Sequence, residues 1–357
     1  MGLQTDSAPT AVQTVERLLR RAHELGASDL HLDPTEDGVV ANVRRDGLLE
    51  PLETLPLSVH TRLVGRLKAL ADLLAYRTDV PQEGRIPADR SVLATEIRVA
   101  TYPTVHGERV ALRLECASGA PRTLADLGLS EAIRTSLEHA FDQPEGVVLL
   151  TGPSGSGKTT TLYAALAHLL ASGPRRAIVT IEDPVERRVA GVTQTQVDSA
   201  AGLTFARALR SLLRQDPDVL MVGEIRDRET ASVALEAGLT GHLVASTLHA
   251  GRASRVFARL LDLGVEPFAI TTAVRGVLAQ RLVRRVTPDG RSNGRVLIAE
   301  WLPMTAALRR VILARGDGEA LEAAAREGGA ASIDESAADL VRRGVTTPEE
   351  IRRVLGD

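Results

Sequence analysis

Apolar and polar residues follow different patterns in the first third of the chain and in the remainder. Near the start, apolar residues recur at helical spacing from Val15 to Leu25, and the pattern ends at Gly26. Short strand-like runs follow, namely DLHLDP, VVANVRRDG, TEIRVATYP and ERVALRLEC, with the helical stretch VHTRLVGRLKALADL between the second and the third. These patterns predict a small α+β domain in residues 1–118, bounded by a segment rich in small residues and proline.

In the remainder of the chain, strand and helix patterns alternate regularly. Four apolar runs, GVVLLT, RAIVTIED, DVLMVGEI and HLVASTLH, are typical of buried strands. The helical patterns that follow them begin near Lys158, Thr204, Glu229 and Ala253. This order predicts a mostly parallel sheet covered by helices. The tail beyond Trp301 is predicted to form small helices, so residues 119–357 would comprise a linker, an α/β domain and a helical C-terminal part.

Net charge, aromatic content and the length of apolar runs argue against nucleic-acid-binding, secreted and membrane-spanning proteins. The chain of 357 residues has a formal net charge of -3, so it has no overall basic field to attract nucleic acid. Aromatic residues make up 2%, and none lies in a basic cluster of the kind that stacks bases in single-strand motors. The chain shows neither the order of a secretory signal nor an apolar run approaching the ~20 residues that span a bilayer. We therefore expect a cytoplasmic protein that reaches membranes only through partners.

The segment TGPSGSGKTTTLYAAL joins the first of these strands to its helix and contains a phosphate-binding motif. It fits G-x-x-x-x-G-K-[ST], in which turns permitted by glycine direct backbone N–H groups towards phosphates. Lys158 is expected to reach the β and γ phosphates and Thr159 to bind Mg²⁺, while the helix places its positive end at the anion. The predicted nucleotide-binding residues of this segment are Gly152, Pro153, Ser154, Gly155, Ser156, Gly157, Lys158, Thr159 and Thr160.

Polar residues end each of the four strands, at the edge where such sheets bind ligands. Glu224 follows a buried strand directly and is the preferred candidate for the general base that activates water. Glu182, Asp183 and Glu186 in IEDPVE form a second group of carboxylates, for which the alternative interpretation is a solvated acidic turn. Thr159, Glu182 and Glu224 are the candidate Mg²⁺ ligands.

Two histidines bracket the fourth strand. His249 is a candidate sensor of the γ-phosphate, and the alternative for either histidine is a hydrogen-bonded residue of the core. No H-E-x-x-H motif or carboxylate–histidine set accompanies His242 and His249, so metal binding by this pair is not expected.

Several longer segments resemble one family. TIEDPVE, GLTFARALRSLLRQDPDVLMVGEIRD, TGHLVASTLH and LGVEPFAITTAVRGVLAQRLVRR are similar to the secretion ATPases of type II secretion and type IV pilus assembly, the GspE/PilB type. The family's Walker A, Asp box, Walker B and His box occur in that order. Upstream, ASDLHLDP, VRRDGLL, PQEGRI and RVATYPTVHGERVALRL resemble the family's second N-terminal domain. The implied fold is a RecA-like P-loop NTPase domain preceded by a smaller α+β domain.

The resemblance also implies a homo-hexamer with ATP sites between the two domains, and a role for each motif. Lys158 and Thr159 would hold ATP and Mg²⁺, Glu182 and Asp183 belong to the Asp box, Glu224 is the Walker B glutamate, and His242 and His249 lie in the His box. Arginines similar to the family's phosphate-contacting set are Arg98, Arg113, Arg210, Arg214 and Arg295. The alternative for any one of them is a surface charge. The implied catalytic set is Glu224, Lys158, Glu182, His249, Arg98 and Arg113.

The sequence departs from the family pattern in two places. Only VTPDGRSNG follows QRLVRR, where many members carry a four-cysteine zinc element, so no zinc is expected. The extra N-terminal domain through which many members dock to a membrane partner is also expected to be missing, since ASDLHLDP begins at Ala27.

Three classes of function remain open from the sequence. The preferred one is a motor that couples ATP hydrolysis to assembly of a pilus or pseudopilus, or to type II secretion, through an inner-membrane platform protein and pilin-like subunits. Its near alternative is a pilus-retraction ATPase. The second class is a RecA-type nucleic-acid motor, although no nucleic acid is expected as a partner, and the third is a scaffold that binds ATP without hydrolysing it. For the preferred class we expect a cytoplasmic protein peripheral to the inner membrane.

Overall fold

The computed structural model describes residues 10–114, 123–287, 290, 292–327 and 332–356. The chain divides into two compact units, Met1–Gly119 and Ala120–Asp357. The predicted domain boundary after residue 118 lies outside the described residues, so that boundary stays a prediction. Among the described residues, no helix combines the length and the apolar character needed to cross a membrane.

In its described part, residues 10–114, the N-terminal unit consists of an antiparallel sheet and two α-helices. The helices are α1 (Ala11–Glu24) and α2 (His60–Leu70). The strands are β1 (Asp29–Pro34), β2 (Val39–Arg45), β3 (Leu48–Leu55), β4 (Gln82–Ile86), β5 (Ile97–Thr104) and β6 (Gly107–Leu114), in the order β3-β2-β1-β6-β5-β4. Alternate residues of β1, such as Leu30 and Leu32, pack with Leu18 of α1 and Leu63 of α2 in one core. The residues between them form a polar face, as the period of two predicts.

The second unit is built on a seven-stranded sheet. Its strands are β7 (Gly146–Thr151), β8 (Ile178–Glu182), β9 (Thr193–Gln196), β10 (Val219–Val222), β11 (Leu243–Thr247), β12 (Val274–Val286) and β13 (Ser292–Pro303). The strand order is β13-β12-β7-β11-β10-β8-β9, and every pair is parallel except β12–β13. The predicted strands thus form a mostly parallel sheet, which confirms the predicted fold class. Strand β9 and the β12–β13 hairpin extend it beyond the four runs named from the sequence.

Helices cover both faces of this sheet. They are α3 (Glu131–Asp142), α4 (Lys158–Ala171), α5 (Phe205–Leu212), α6 (Arg228–Leu239), α7 (Ala253–Asp262), α8 (Pro267–Ala273), α9 (Ala306–Leu313), α10 (Gly318–Glu327), α11 (Ile333–Arg342) and α12 (Pro348–Leu355). Val147 and Leu149 of β7 pack in the core formed with α5–α10, whereas Val148 and Leu150 pack in the core formed with α3 and α4. The run is continuously apolar because both faces are buried.

Helices α11 and α12 cover the far end of the hairpin. Val283 of β12 and Ile298 of β13 lie in a small core with Ile333 and Leu340 of α11, and Val354 of α12 packs against it. This arrangement agrees with the predicted helical C-terminal part.

Candidate functional site

The loop between β7 and α4 has a backbone that requires glycine. Gly155 and Gly157 have φ angles of 75° and 90°, which favour glycine, and Gly157 caps α4 without a side-chain hydrogen bond. A Cβ on Gly152 would lie 2.4 Å from the carbonyl oxygen of Gln280. Because no side chain caps the first turn of α4, its backbone N–H groups remain available to an anion. The loop therefore fits a phosphate group.

Strand β12 braces this loop from the neighbouring position in the sheet. Gln280 is fully buried, and its Nε2 donates a hydrogen bond to the carbonyl oxygen of Ser156 at 2.8 Å. Arg281 donates to the carbonyl oxygen of Gly251 at 2.5 Å, in the segment that follows His249. Neither role was assigned from the sequence, because only the packing of β12 beside β7 brings the two residues to the loop.

Lys158 lies within the loop. Its Nζ donates to the carbonyl oxygens of Gly152 and Pro153, both at 2.9 Å. Burial lowers the pKa of Lys158, and Arg281 lowers it further, whereas the nearby carboxylate of Glu224 raises it. A phosphate beside Nζ would raise this pKa, since an anion favours the charged ammonium form.

The carboxyl ends of β7, β8, β10 and β11 meet at one edge of the sheet and form a pocket. The side chain of Thr151 ties two of these ends together, since its Oγ1 donates to the carbonyl oxygen of Ala250 at 2.9 Å. Thr247 Oγ1 donates to the carbonyl oxygen of Gly223 at 2.8 Å and fixes the residue before Glu224. Polar residues lining the pocket are Ser154, Lys158, Thr159, Glu182, Asp183, Glu186, Glu224, Thr247 and His249.

Glu224 lies between a guanidinium and an imidazole in this pocket. Its side chain is 19% exposed, with Oε2 3.8 Å from Nε2 of His249. Nη2 of Arg226 donates to Oε1 of Glu224, and Nη1 lies 3.8 Å from Oδ2 of Asp183. The hydrogen bond to Glu224 raises the pKa of Arg226. Arg226 was missed as a site residue, although it stands in the segment VGEIRD that carries the family resemblance.

Glu182 also reaches the pocket, but its carboxylate is held by the protein. Oε2 accepts a hydrogen bond from the Tyr163 hydroxyl at 2.5 Å. Oε1 accepts from Thr180 Oγ1 at 2.6 Å and from Gln194 Nε2 at 3.0 Å. Glu182 is 3% exposed, so these protein donors account for most of its hydrogen-bonding capacity. This environment differs from the one expected of a Mg²⁺ ligand or a catalytic group.

His242 lies at the opposite edge of the sheet from the loop. It precedes β11, whose five residues span ~16 Å, and its Nδ1 contacts the carbonyl oxygen of Ala237 at 3.1 Å. His242 therefore lies away from the phosphate loop of its own unit, and its role as a nucleotide-binding residue of the His box stays a prediction. The sequence pattern placed His242 and His249 at the two ends of one strand, and the two ends of a strand necessarily lie at different edges.

Three of the predicted arginines also lie away from the pocket lining. Arg210 of α5 forms an ion pair with Glu229 of α6. Arg214 follows α5 and is exposed, and Arg295 lies on β13 opposite Arg284. Arg210, Arg214 and Arg295 therefore lie outside the pocket lining of this unit, and their contact with nucleotide stays a prediction.

Arg98 and Arg113 lie side by side in the N-terminal unit. They are directly opposed on β5 and β6, and Arg113 Nε lies 3.3 Å from Oδ1 of Asp29 on β1. Directly opposed like charges destabilise a sheet, and the carboxylate of Asp29 offsets part of this repulsion.

The donor groups of the pocket fit Mg²⁺ and a triphosphate. Mg²⁺ usually takes one or two carboxylates together with phosphate and water oxygens, and Thr159, Asp183 and Glu224 offer such ligands. Within the described residues, no group of three or more His, Cys, Asp or Glu side chains is arranged to hold a metal ion by itself. The expectation about zinc stays a prediction.

A glycine-rich loop between a buried strand and a helix, facing carboxylates at the ends of parallel strands, defines a P-loop nucleotide-binding domain. Over residues 4–353 the sequence matches the family described as Type II/IV secretion system protein. It is 42% identical over 374 residues to the type II secretion system protein HxcR of Pseudomonas aeruginosa, covering 99% of this chain and 79% of HxcR. The chain therefore belongs to the type II/IV secretion system protein family and is a secretion-motor ATPase.

Solved structures share the fold over nearly the whole chain. The ATPase DotB of Legionella pneumophila aligns with a TM-score of 0.74 at 26% identity, covering 99% of both chains. The pilus retraction motor PilT with bound ADP aligns with a TM-score of 0.67 at 27% identity, covering 96% of this chain and 97% of PilT. These likenesses confirm a RecA-like ATPase domain preceded by a smaller domain.

Proposed function

We propose that the chain acts as a homo-hexameric ATPase at the cytoplasmic face of the inner membrane, where ATP hydrolysis drives assembly of a pilus-like fibre in type II secretion. Membership of the family and 42% identity to a type II secretion protein support this proposal. The partners we propose are a polytopic platform protein and, through it, pilin-like subunits. A motor of this kind needs no nucleic acid.

The observation that carries the catalytic part is the position of Glu224. It follows β10 at the edge where the phosphate loop lies, and it lines one pocket with Lys158, Thr159 and His249. In our proposal the loop amides and Lys158 hold the phosphates, and Thr159 binds the metal. Bound Mg²⁺ supplies neutralisation of the phosphate charge. Glu224 accepts the proton of the attacking water, and His249, 3.8 Å from its carboxylate, orients that carboxylate.

The hydrogen bond between Arg226 and Glu224 sets a condition on the proton transfer. Arg226 donates a hydrogen bond to Oε1 of Glu224, so it must release that oxygen before the oxygen can accept the proton of water. A phosphate group is a competing acceptor for the guanidinium. We propose that nucleotide binding draws Arg226 away from Glu224 and so prepares the base.

Glu224→Gln tests this assignment in the full-length protein. The amide keeps the shape of the side chain but cannot accept the proton, so we expect ATP to bind with unchanged affinity and phosphate release to fall by ~10² or more. Glu229→Gln is the matched control, since Glu229 also pairs with an arginine but lies outside the pocket lining. Equal rates of phosphate release in the two variants would remove Glu224 from the catalytic set.

Pilus retraction is the second candidate function. It is supported by the likeness to PilT, at 27% identity over 96% of this chain. The higher identity to a secretion protein favours assembly. Measuring secretion or fibre length in cells that lack the protein distinguishes the two, because loss of a retraction motor leaves fibres longer and loss of an assembly motor abolishes them.

A further inference from the structure

The loop formed by residues 183–192, between β8 and β9, carries two of the pocket's carboxylates. Asp183 and Glu186 both line the pocket, yet the loop contains neither helix nor strand. Within it, one backbone hydrogen bond joins Val192 N–H to the carbonyl oxygen of Val189 at 3.3 Å. Its conformation therefore depends on contacts with side chains outside it.

Tyr163 makes one contact with Glu182, which precedes this loop, and two with Arg187 within it. Its hydroxyl donates to Glu182 at 2.5 Å and accepts the backbone N–H of Arg187 at 3.2 Å. The guanidinium of Arg187 lies over the tyrosine ring, 5.2 Å from its centre. Burial and the neighbouring carboxylate of Glu182 raise the pKa of Tyr163 well above its usual value, so the hydroxyl keeps its proton and continues to donate.

Gln194 of β9 also forms hydrogen bonds with both Glu182 and the loop. Its Nε2 donates to Glu182 at 3.0 Å and to the carbonyl oxygen of Arg187 at 2.9 Å. Its Oε1 accepts the backbone N–H of Val189 at 2.7 Å. Tyr163 and Gln194 thus hold the loop at Arg187 and Val189, and both are themselves held by Glu182.

A carboxylate fits the centre of this network because it can accept all three hydrogen bonds. Glu182 accepts from Tyr163, Thr180 and Gln194, and it has no proton to donate when ionised. A glutamine at the same position would present an NH₂ group to one or more of these donors. The network therefore explains an acidic residue at position 182 without any bound metal.

We propose that Glu182, Tyr163 and Gln194 are positioning residues that clamp the 183–192 loop, so that the loop's own carboxylates, Asp183 and Glu186, rather than Glu182 serve the nucleotide site. Tyr163 lies one helical turn after Thr159 on α4, so the clamp also connects the helix that starts at the phosphate loop to the acidic loop. The clamp itself exists independently of nucleotide, whereas the role assigned to Asp183 and Glu186 rests on the proposed function.

Amide hydrogen exchange in the full-length protein without nucleotide tests the clamp. Tyr163→Phe removes the hydroxyl but keeps the ring under Arg187, so we expect the Arg187 amide to exchange about tenfold faster. Gln194→Leu is expected to do the same at Val189, and trypsin is expected to cut faster after Arg187 in both variants. Tyr76→Phe is the matched control, since Tyr76 is 83% exposed. Unchanged exchange at Arg187 in folded Tyr163→Phe would overturn the proposal.

Phosphate release as a function of Mg²⁺ concentration tests the assignment of the carboxylates. We expect Glu182→Gln to lower kcat several-fold while the Mg²⁺ concentration for half-maximal rate stays unchanged, and Asp183→Asn to raise that concentration. A higher Mg²⁺ requirement in Glu182→Gln, with loop exchange unchanged, would make Glu182 a metal ligand and overturn the proposal. If the chain did not hydrolyse ATP, the proposed function would fail, but the exchange result would still decide the clamp.

Discussion

Gln280→Leu is predicted to weaken nucleotide binding while leaving the fold intact. Gln280 Nε2 holds the carbonyl oxygen of Ser156 at 2.8 Å. The C=O and N–H of a trans peptide point in opposite directions, so this bond also fixes the direction of the Gly157 N–H. That N–H is one of the loop donors expected to face phosphate. Leucine is similar in size to glutamine but has no donor, so it removes this constraint.

The expected losses of nucleotide affinity and of stability follow from the buried environment of Gln280. Loss of one buried hydrogen bond costs ~1 kcal/mol, which corresponds to about fivefold weaker binding if the loop must be reordered by the ligand. The effect on unfolding should be smaller, because Gln280 Oε1 is itself buried without a hydrogen-bond partner and leucine removes that polar atom. We therefore expect the free energy of unfolding to change by less than ~1 kcal/mol.

Titration with a fluorescent ATP analogue in the presence of Mg²⁺ measures the dissociation constant. Thermal unfolding without nucleotide measures the stability of the folded protein. Gln215→Leu is the control, since Gln215 is exposed and lies outside the pocket lining. A Gln280→Leu protein that is folded and binds the analogue within twofold of the parent would refute the bracing role of β12.

Two other predictions concern Glu350, near the C-terminus, and two arginines of the N-terminal unit. Glu350 is buried, which raises its pKa, but hydrogen bonds from Arg353 and Arg284 outweigh burial and lower the pKa to about 2. Because the folded pKa is below the unfolded one, the stability Glu350 contributes is present above pH ~4.5 and is lost as the pH falls towards 2. Glu350→Gln should destabilise the unit by ~2–4 kcal/mol at pH 7 in urea unfolding, and a difference that persists undiminished at pH 2 would contradict this. In the N-terminal unit, Arg98→Ala and Arg113→Ala should each lower kcat at least tenfold with ATP binding retained, and unchanged turnover in both would exclude them from the site.

The fold and the phosphate loop were predictable because their signals are local. The alternation of apolar runs with helical patterns predicted the parallel sheet, and continuous apolar runs such as GVVLLT indicated strands buried on both faces. The spacing from Gly152 to Thr159 predicted the loop, since glycine is needed wherever φ is positive or the backbone approaches closely. Parallel strands share one carboxyl edge, so the grouping of Glu224 and His249 also followed from the chain order.

Strand β9 was not predicted because its short sequence lacks the pattern of a strand. Its sequence, TQTQ, has no apolar alternation, and its residues are exposed or only half-buried. It is a strand because its backbone pairs with β8 as the outermost strand of the sheet, and not because its side chains are buried. The long β12–β13 hairpin was assigned no strand either, although most of β12 lies in a segment quoted for the family resemblance.

The sequence alone determined which residues can bind phosphate and which can accept a proton, because those properties belong to the side chains and to short spacings. Only the tertiary structure decided which of them act on the pocket. It surrounds Glu182 with protein donors, places His242 at the far end of its strand from the pocket, and brings Gln280 to the phosphate loop. Two of the three partners of Glu182 come from α4 and β9, 19 residues before it and 12 residues after it along the chain. Such contacts depend on how helix and strands pack, and no local pattern records them.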